Sequence, residues 1–381
     1  MNTIYLDNAA TSFPKPIEVV NSMSDYMINS GGNPSRGSSS LSMKGNRVIY
    51  TGRETISNFF NFSKSENVIF TSNITSSLNI ILNSLVKDNW HIITSTMDHN
   101  SVLRPLTRLE KEKNICLDIV EASKEGFISV EKIKEKITDK TKVIVLSHSS
   151  NLCGSIQPIK EIGAICKERN IFFIVDSAQT AGVIPIDMKD LNINALAFTG
   201  HKSLFGPQGI GGFIIDDKIN EAMDVLFTGG TGSSSYSLEH PLILPDKFES
   251  GTPNTPGIIG LTKGIEFINK EGINTIREKE EFLCKYALEK LLNMNNITIY
   301  GSKNYYDRTS TIPFNLKNID SSELGFILDS EFNIITRTGL HCAPLAHKTL
   351  GSFPNGSIRI SLGYFNSTTD IDALVDALNK L

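Results

Sequence analysis

The chain has 381 residues, 40% of them hydrophobic, with a formal net charge of −4 and a pI near 6.0. This length and apolar content suffice for a large core and predict about two or three domain-sized units. Lysine and arginine are scattered, which excludes a nucleic-acid-binding surface. No apolar run reaches membrane-spanning length, and residues 1–12 lack the pattern of a signal peptide. We therefore expect a cytoplasmic protein with no nucleic-acid or membrane partner.

The cysteines limit the kinds of site that the chain can form. No two of them make a CxxC pair, so the spacing excludes a disulfide framework and a thiolate zinc site, and we predict no metal site. Because free cysteine is usually buried, we expect at least four of the five to be buried and inert. The five are Cys116, Cys153, Cys166, Cys284 and Cys342.

Short apolar runs alternate with longer amphipathic stretches between about residues 67 and 215, and several runs are apolar without alternation. Segments 129–136 and 159–169 have the pattern of connecting helices. This order predicts an α/β fold with a mostly parallel sheet and right-handed crossovers. The predicted strands span residues 67–70, 91–95, 115–120, 142–147, 171–176, 195–199 and 211–216.

The pattern changes after about residue 257. Two helical stretches, 258–268 and 275–292, precede the short runs ITIYG, TIPFNL and SIRIS and a final helix near Thr369. This order predicts a smaller α+β domain at the C-terminus. We expect an N-terminal segment (1–20) that packs on the small domain or over the cleft, a large domain (21–256) and the small C-terminal domain (257–381).

Ligands of open α/β sheets bind beyond the carboxyl ends of strands, so polar residues at those ends are candidates for a site. A helix predicted to start near Thr75 follows the first strand, and the amides and hydroxyls of Thr75 and Ser76 suit a phosphate. His99 follows the second strand, where its ring could stack on a flat aromatic cofactor. Each also has an ordinary interpretation, as a helix cap and as a structural histidine.

Two further strand ends carry polar residues. Asn151 could hydrogen-bond a phenolic oxygen, or it could be a turn residue before Gly154. Asp176 ends a very apolar strand, where an ionised carboxylate needs a partner such as a protonated pyridine nitrogen, unless it only caps the next turn. Gln179, which follows closely, could reach an oxygen on the same ring.

Lys202 follows the strand at 195–199 and precedes a glycine-rich stretch. A lysine forms a Schiff base only when its amine is neutral, which needs a desolvated or electropositive site. Thr199 and His201 flank it and could hold phosphate oxygens, whereas a lysine considered alone is usually a surface residue. Asp176 and, 26 residues later, Lys202 lie on neighbouring predicted strands. This arrangement matches a pyridoxal-phosphate (PLP) site, in which an acid keeps the pyridine protonated and a lysine binds the aldehyde.

At this point the sequence resembles the class V, fold-type I PLP enzymes of the cysteine desulfurase and selenocysteine lyase group. The resemblance runs from YLDNAATS to the final helix and rests on the motifs NPSRGSSSLS, DHNSVLRP, DSAQ, GHKSLFGPQGIG, FESGTPNT, RTGLHCAP and SIRIS. It implies a large domain with a mostly parallel seven-stranded sheet and a smaller α+β C-terminal domain that carries the cysteine loop.

The resemblance also implies roles for individual residues. Lys202 is the Schiff-base lysine, Asp176 pairs with the ring nitrogen and His99 stacks on the ring. Thr252 reaches the phosphate of a neighbouring subunit, which implies a homodimer with shared active sites. Arg359 anchors the substrate carboxylate, which a guanidinium fork binds through two hydrogen bonds. The resemblance further assigns the ring oxygen to Gln179 and Asn151, the phosphate to Thr75, Ser76, Thr199 and His201, and the substrate side of the site to Asn8, Ala9 and Arg36.

The reactive thiol implied by the resemblance is Cys342, in the short RTGLHC form that is typical of an ordered catalytic loop; the alternative is a buried structural thiol. Four positions depart from the pattern of the group. Ser76 stands where an acid is usual, and Thr199 replaces a common serine. Asn100 and Leu340 stand where many sulfur-mobilising members have histidine.

The resemblance implies a cysteine desulfurase that converts L-cysteine to L-alanine and leaves the sulfur on Cys342 as a persulfide, for an acceptor protein or a thiol reductant. Three alternatives remain open: a selenocysteine lyase acting on L-selenocysteine, another PLP reaction such as an aminotransferase or β-lyase, and a non-catalytic PLP-binding scaffold or sulfur carrier. The presence of Lys202, Asp176, His99 and Arg359 together argues against the last.

Overall fold

The computed structural model describes residues 3–34 and 39–381. The strands are β1 (Ile4–Tyr5), β2 (Val68–Thr71), β3 (His91–Ser95), β4 (Cys116–Val120), β5 (Thr141–Ser147), β6 (Phe172–Asp176), β7 (Ala195–Thr199), β8 (Gly211–Ile215), β9 (Ile297–Ile299), β10 (Thr311–Leu316), β11 (Ile334–Ile335), β12 (Arg337–Gly339) and β13 (Ser357–Ser361). The helices are α1 (Ile17–Asn29), α2 (Ser40–Phe59), α3 (Ile74–Leu85), α4 (Asn100–Glu112), α5 (Val130–Lys136), α6 (Ile159–Arg169), α7 (Asp217–Ala222), α8 (Thr255–Glu271), α9 (Ile273–Leu292), α10 (Ser321–Phe332), α11 (Pro344–Leu350) and α12 (Thr368–Leu378).

The large sheet has seven strands in the order β2-β8-β7-β6-β5-β3-β4, and the predicted α/β fold class is confirmed. Only β8 runs against its two neighbours, and the other adjacent strands pair in parallel. Alternate residues of a strand point to opposite faces, and both faces are apolar here. On β5, for example, Ile144 and Leu146 join one buried cluster and Val143 and Val145 the other. This burial on both sides explains why the strands are apolar without alternation.

The C-terminal part contains a second sheet, antiparallel, in the order β12-β13-β10-β9. Helices α9, α10 and α12 contribute buried side chains to its core, which is separate from the two clusters of the large sheet. The α+β character expected after residue 257 is therefore present. Strand β1 pairs in parallel with β11, so the N-terminal segment reaches this part of the molecule.

The exposure of the cysteines differs from the expectation. Three of them, Cys153, Cys166 and Cys284, are buried, but both Cys116 and Cys342 are exposed. Cys116 begins β4, the outermost strand of the large sheet, so one side of that strand has no neighbour to cover it. The prediction that at least four thiols are buried was therefore wrong. Separately, none of the helices in the described ranges is both long and apolar enough to cross a membrane.

Candidate active site

Lys202 and Asp176 meet at the carboxyl edge of the large sheet. Asp176 is the last residue of β6, and Lys202 follows β7, which pairs in parallel with β6. Burial raises the pKa of Asp176 to about 6, although the amide of Ala178 and the charge of Lys202 oppose the increase. Burial lowers the pKa of Lys202 to about 8, partly offset by the charge of Asp176. A substantial fraction of the lysine is therefore neutral near pH 8, as a nucleophilic amine requires.

The turns around Lys202 pack closely. Gly182, in the turn after β6, has φ +96°, and a Cβ there would lie 2.1 Å from the carbonyl oxygen of Ser203. Only glycine fits this approach and this backbone conformation without strain. It lets the segment that follows Asp176 pack against the segment that follows Lys202.

Several buried polar atoms near these strand ends form no hydrogen bond with any of the described residues. They include Oγ1 of Thr199, Nδ1 of His201, Oδ1 of Asn151 and Nε of Arg359. A buried polar atom without a partner costs free energy, so such atoms in a native protein call for a ligand or a bound water. All four belong to residues that the sequence assigns to the site. Together they offer a hydroxyl, an imidazole, an amide and a guanidinium.

His99 lies immediately before α4 and caps it. Its Nδ1 accepts a 3.0 Å hydrogen bond from the amide of Ser101 and lies 2.8 Å from the Ser101 hydroxyl. Because an amide can only donate, Nδ1 carries no proton, and the proton of the neutral ring is on Nε2. Burial, followed by the charge of Lys202, lowers the pKa of His99 to about 4, so the ring is neutral at physiological pH.

Arg359 is buried on β13 and is held from two sides. Its Nη2 contacts Oδ1 of Asp7 at 2.6 Å, and its Nη1 donates to the carbonyl of Asn151 at 2.8 Å. Asp7 therefore supplies the countercharge that a buried guanidinium needs. The side chain of Asn151 donates 2.7 Å to the carbonyl of His341, which connects this arginine to the cysteine turn.

Cys342 is exposed on a turn between β12 and α11. His341 and Cys342 have positive φ angles of +50° and +56°, a conformation that is uncommon for residues with a side chain. The carbonyl of Cys342 accepts a 2.9 Å hydrogen bond from the amide of Asn100, at the start of α4. This contact brings the cysteine turn against the helix that His99 caps.

Other predicted residues occupy the borders of this region. Gln179 donates 3.1 Å to the carbonyl of Ala9, and the amide of Ala9 donates 2.8 Å to the hydroxyl of Ser361. Asn8 donates to the carbonyl of Ser361 at 3.1 Å. The N-terminal residues that we assigned to the substrate side are thus fixed to β13, the strand of Arg359. Arg36 lies outside the described residues.

The predicted phosphate helix starts one residue earlier than expected. Helix α3 begins at Ile74, and the side chain of Asn73 accepts a 3.0 Å hydrogen bond from the amide of Ser76. This amide is therefore already bonded, which leaves the exposed first-turn residue Thr75 as the stronger candidate of the pair. Thr252 lies exposed in a loop.

The sequence interpretation missed the contacts that the N-terminal segment makes with the Lys202 loop. The amide of Ser12 and the ammonium of Lys15 both donate to the carbonyl of His201, at 3.0 and 2.7 Å. The hydroxyl of Ser12 also donates to the carbonyl of Lys202 at 2.7 Å. It also missed Asp7 and Asp98. Asp7 could have been identified from the sequence, because it places a charge in the mainly apolar start of YLDNAATS.

Asp98 is fully buried between the ends of β3 and β5. One of its oxygens accepts hydrogen bonds from Thr94 and from the amide and hydroxyl of Ser95, at 2.9, 2.8 and 2.7 Å. The other accepts from the amide of Ser147 at 2.5 Å. These bonds hold two strand ends together, and the charge of Asp98 contributes to the raised pKa of Asp176.

Comparison with known proteins agrees with this geometry. Residues 4–374 match the family model for class-V aminotransferases. Two relatives named probable cysteine desulfurase, from Pyrococcus abyssi and Borreliella burgdorferi, are each 34% identical over 99% of this chain and cover 94% and 91% of their own lengths. The apo structure of a cysteine desulfurase from Thermococcus onnurineus superposes with a TM-score of 0.94 at 32% identity, over 99% of this chain and 94% of that one. A cysteine desulfurase structure from Escherichia coli gives a TM-score of 0.89 at 26% identity, over 99% of this chain and 94% of that one. The chain therefore belongs to the class-V aminotransferase family and to its cysteine desulfurase group.

Proposed function

We propose that the protein is a PLP-dependent cysteine desulfurase that converts L-cysteine to L-alanine and leaves the sulfur on Cys342 as a persulfide. The observation that carries the proposal is the combination of unpartnered buried polar atoms around Lys202 with an exposed thiol on a turn bonded to the helix of His99. The first feature suits a polar cofactor and the second suits a sulfur acceptor.

The residues around Lys202 fit PLP. The unpartnered Thr199 hydroxyl and His201 nitrogen suit phosphate oxygens. A protonated pyridine nitrogen would give the carboxylate of Asp176 a cationic partner and so offset the burial that raises its pKa. The amide of Asn151, whose oxygen is unpartnered, suits the phenolic oxygen of the ring. When bound, PLP supplies an electron sink for the bonds at the substrate Cα.

Lys202 and His99 are the proposed proton carriers. Lys202 would hold the cofactor aldehyde and, as a free amine, would take the proton from the substrate Cα. Its lowered pKa favours the neutral form that both tasks need. His99 directs Nδ1 to its own helix, so Nε2 is the nitrogen available to the substrate thiol and to the product.

Arg359 is the proposed carboxylate anchor. Its Nε is buried and unpartnered, while Nη1 and Nη2 are already bonded to Asn151 and Asp7. A substrate carboxylate on Nε would give this donor its missing acceptor. The resulting charge-assisted contact would hold the amino acid in one orientation relative to Lys202.

Sulfur transfer to Cys342 needs no external oxidant or reductant. The Cys342 thiolate forms an S–S bond with the substrate sulfur as the substrate Cβ–S bond breaks. The electron pair of that bond stays on carbon, which takes up a proton and becomes the methyl group of alanine. Because Cys342 is exposed, the terminal sulfur of its persulfide is accessible to an acceptor protein or to a small thiol reductant. A reducing, cytoplasmic setting suits this chemistry, because it keeps the thiol free between turnovers.

We also propose a homodimer with shared sites. Thr252 is exposed, and the preceding segment exposes several large apolar side chains that a second copy would cover, namely Leu226, Phe227, Tyr236, Leu238, Leu242 and Ile243. The test mixes Lys202→Ala with Thr252→Glu, each of which impairs its own homodimer. If Thr252 serves the partner's site, each mixed dimer contains one unaltered site and recovers cofactor absorbance. No recovery would contradict the shared site.

The experiment that tests the proposed function is mass spectrometry of the PLP-loaded protein after incubation with L-cysteine. We expect one additional sulfur, mapped to the peptide that contains Cys342, together with stoichiometric alanine. A keto acid product would indicate an aminotransferase instead, and unmodified thiols with no alanine would refute the proposal.

A further inference from the structure

Two buried histidines pack together at the cysteine turn, one in the turn itself and one in α11. Nδ1 of His341 lies 3.2 Å from Nε2 of His347, and the two ring planes are nearly parallel, with an interplanar angle of 15° and centroids 5.4 Å apart. Nε2 of His341 lies 3.3 Å from the carbonyl of Arg337, and Nδ1 of His347 lies 2.6 Å from the hydroxyl of Ser352. The resemblance and the proposed reaction give these histidines no task.

The hydrogen bonds of this His341–His347 pair have only one consistent direction. A carbonyl oxygen can only accept, so Nε2 of His341 donates to Arg337, and Nδ1 of the neutral ring must accept. His347 therefore donates from Nε2, its Nδ1 accepts, and the Ser352 hydroxyl donates to it. Burial lowers the pKa of His341 to about 2 and that of His347 to about 4, so both rings are neutral at assay pH.

The pair joins the two elements that flank the thiol. Arg337 begins β12, before Cys342, and His347 lies in α11, after it. Between them, His341 and Cys342 both adopt the left-handed conformation, which costs about 1 to 2 kcal/mol for each residue that is not glycine. Such a turn persists only where the surrounding structure holds it. The described contacts that could hold it include both ring nitrogens of His341.

The backbone of the same turn reaches the substrate side of the site. The carbonyl of His341 accepts from the side chain of Asn151, whose own carbonyl accepts from Arg359. The carbonyl of Cys342 accepts from the amide of Asn100. A rotation of His341 would therefore move the thiol relative to the residues that orient the amino acid.

We propose that His347 is a positioning residue for sulfur transfer: by donating from Nε2 to His341, it fixes the left-handed turn that presents Cys342 to the substrate sulfur. The inference rests on the proposed function. Neither histidine exchanges a proton with the substrate, and the role of the pair is to hold the thiol in line with the Cβ–S bond.

The test compares His347→Phe with His347→Gln. Phenylalanine fills the volume but cannot hydrogen-bond, whereas glutamine can donate from its amide nitrogen to His341 and accept from Ser352. We expect the phenylalanine variant to form the Cys342 persulfide at least about tenfold more slowly, because small displacements of reacting atoms carry large penalties. The glutamine variant should recover most of that rate. The visible absorbance of bound PLP should be similar in both variants, and the phenylalanine variant should have the lower thermal midpoint because it leaves buried polar atoms of His341 and Ser352 without partners.

Hydrogen exchange gives a second readout that does not depend on turnover. The amides of Ala343 and Asn100, which donate to the carbonyls of Leu340 and Cys342, should exchange faster in His347→Phe than in the wild type or in His347→Gln. If the phenylalanine variant does not fold, Ser352→Ala replaces it, because it removes the donor that orients His347. Its persulfide rate and exchange should change in the same direction.

The possible failures can be distinguished. If the wild type gains no sulfur from cysteine, the proposed function fails, and the exchange comparison still decides whether the pair holds the turn. If the wild type gains sulfur and the phenylalanine variant gains it at the same rate, the inference is wrong. It is equally wrong if glutamine and phenylalanine lower the rate to the same extent, since the effect is then not one of hydrogen bonding.

Discussion

The backbone amide of Asn100 donates a 2.9 Å hydrogen bond to the carbonyl oxygen of Cys342. Residue 100 begins α4, and the residue before it, His99, caps that helix. A single hydrogen bond therefore links the segment of His99, the proposed proton carrier, to Cys342, the proposed sulfur acceptor. The donor is a backbone amide, so the hydrogen bond does not depend on the side chain at position 100. It can form here although asparagine stands where many members of the group have histidine.

Replacing the exposed thiol separates cofactor chemistry from sulfur transfer. We expect Cys342→Ala to retain bound PLP, because Cys342 is linked to the site through its backbone, and to lose sulfide release from L-cysteine, because the nucleophile is absent. Absorbance and sulfide assays measure the two effects. Cys116→Ala, at the other exposed thiol, is the control and should behave as the wild type.

The same pair of variants tests the selenocysteine lyase alternative. A selenol is more acidic than a thiol and is a better leaving group, so selenide release from L-selenocysteine depends less on Cys342. Cys342→Ala should therefore keep more of its selenide release than of its sulfide release. Sulfide release at the wild-type rate would remove Cys342 from the mechanism.

The pKa of Lys202 predicts how the apoprotein takes up PLP. The amine attacks the cofactor aldehyde only when neutral, and its pKa is lowered to about 8, first by burial. We expect the rate of PLP incorporation to rise with pH and to level off above about 8, rather than to continue rising towards the pKa of an ordinary lysine. Stopped-flow absorbance measures this profile.

Two variants check that assignment. Lys202→Ala should show no such absorbance change at any pH. Asp176→Asn should shift the midpoint to lower pH, because the charge of Asp176 raises the pKa of Lys202. A profile that has its midpoint near 10 in the wild type would show that the amine is solvated and not prepared for the aldehyde.

The large sheet could be predicted from the sequence because each of its strands is a short, continuous apolar run. The predicted ranges 91–95 and 195–199 agree with β3 and β7 at both ends, and the other five differ by one or two residues. The predicted strand ends also place Asp176, Thr199 and Lys202 at the carboxyl edge of the large sheet. A local pattern of this kind is independent of distant parts of the chain.

Contacts between distant segments were not predictable in the same way. Asp7 and Arg359 are 352 residues apart, and no periodicity connects them. The attachment of Ser12 and Lys15 to the Lys202 loop likewise depends on how the N-terminal segment crosses the finished fold. The left-handed turn at His341 and Cys342 could not be predicted from the sequence either, because that conformation is usually indicated by glycine or asparagine and neither residue is one of these.

The ion pair of Asp7 and Arg359 predicts a loss of stability on removal of one partner. Arg359 is 1% exposed, so Asp7→Ala leaves a buried charge without its counterion, which costs about 3 to 5 kcal/mol. Urea unfolding of the apoprotein measures this difference. Asp7→Asn keeps an oxygen acceptor for Nη2 and should lose less. Equal losses for alanine and asparagine would show that the hydrogen bond to Nη2 adds nothing to the pair.

A buried carboxyl group in α9 predicts how stability depends on pH. Glu280 faces the hydroxyl of Ser310 at 3.1 Å, and the same hydroxyl lies 2.5 Å from the carbonyl of Leu362. The hydroxyl shares its one hydrogen between the two oxygens, so it gives a Glu280 carboxylate only a weak hydrogen bond. Burial raises the pKa of Glu280 to about 7, against the opposing effects of Ser310, Arg277 and Lys279.

Because the folded state holds this proton more tightly than the unfolded state, the stabilisation is complete below the unfolded pKa of about 4.5 and is lost as pH rises through about 7. Glu280→Gln keeps an oxygen that can accept from Ser310 but cannot ionise. We therefore expect the variant and the wild type to have similar unfolding free energies at pH 5, and the variant to be more stable at pH 8 by up to about 3 kcal/mol, since one pKa unit corresponds to 1.36 kcal/mol. Urea denaturation of both proteins at the two pH values isolates this carboxyl group, because all other titrating groups are common to them. If the unfolding free energies of the variant and the wild type differ by the same amount at both pH values, Glu280 is already ionised in the folded protein at pH 5.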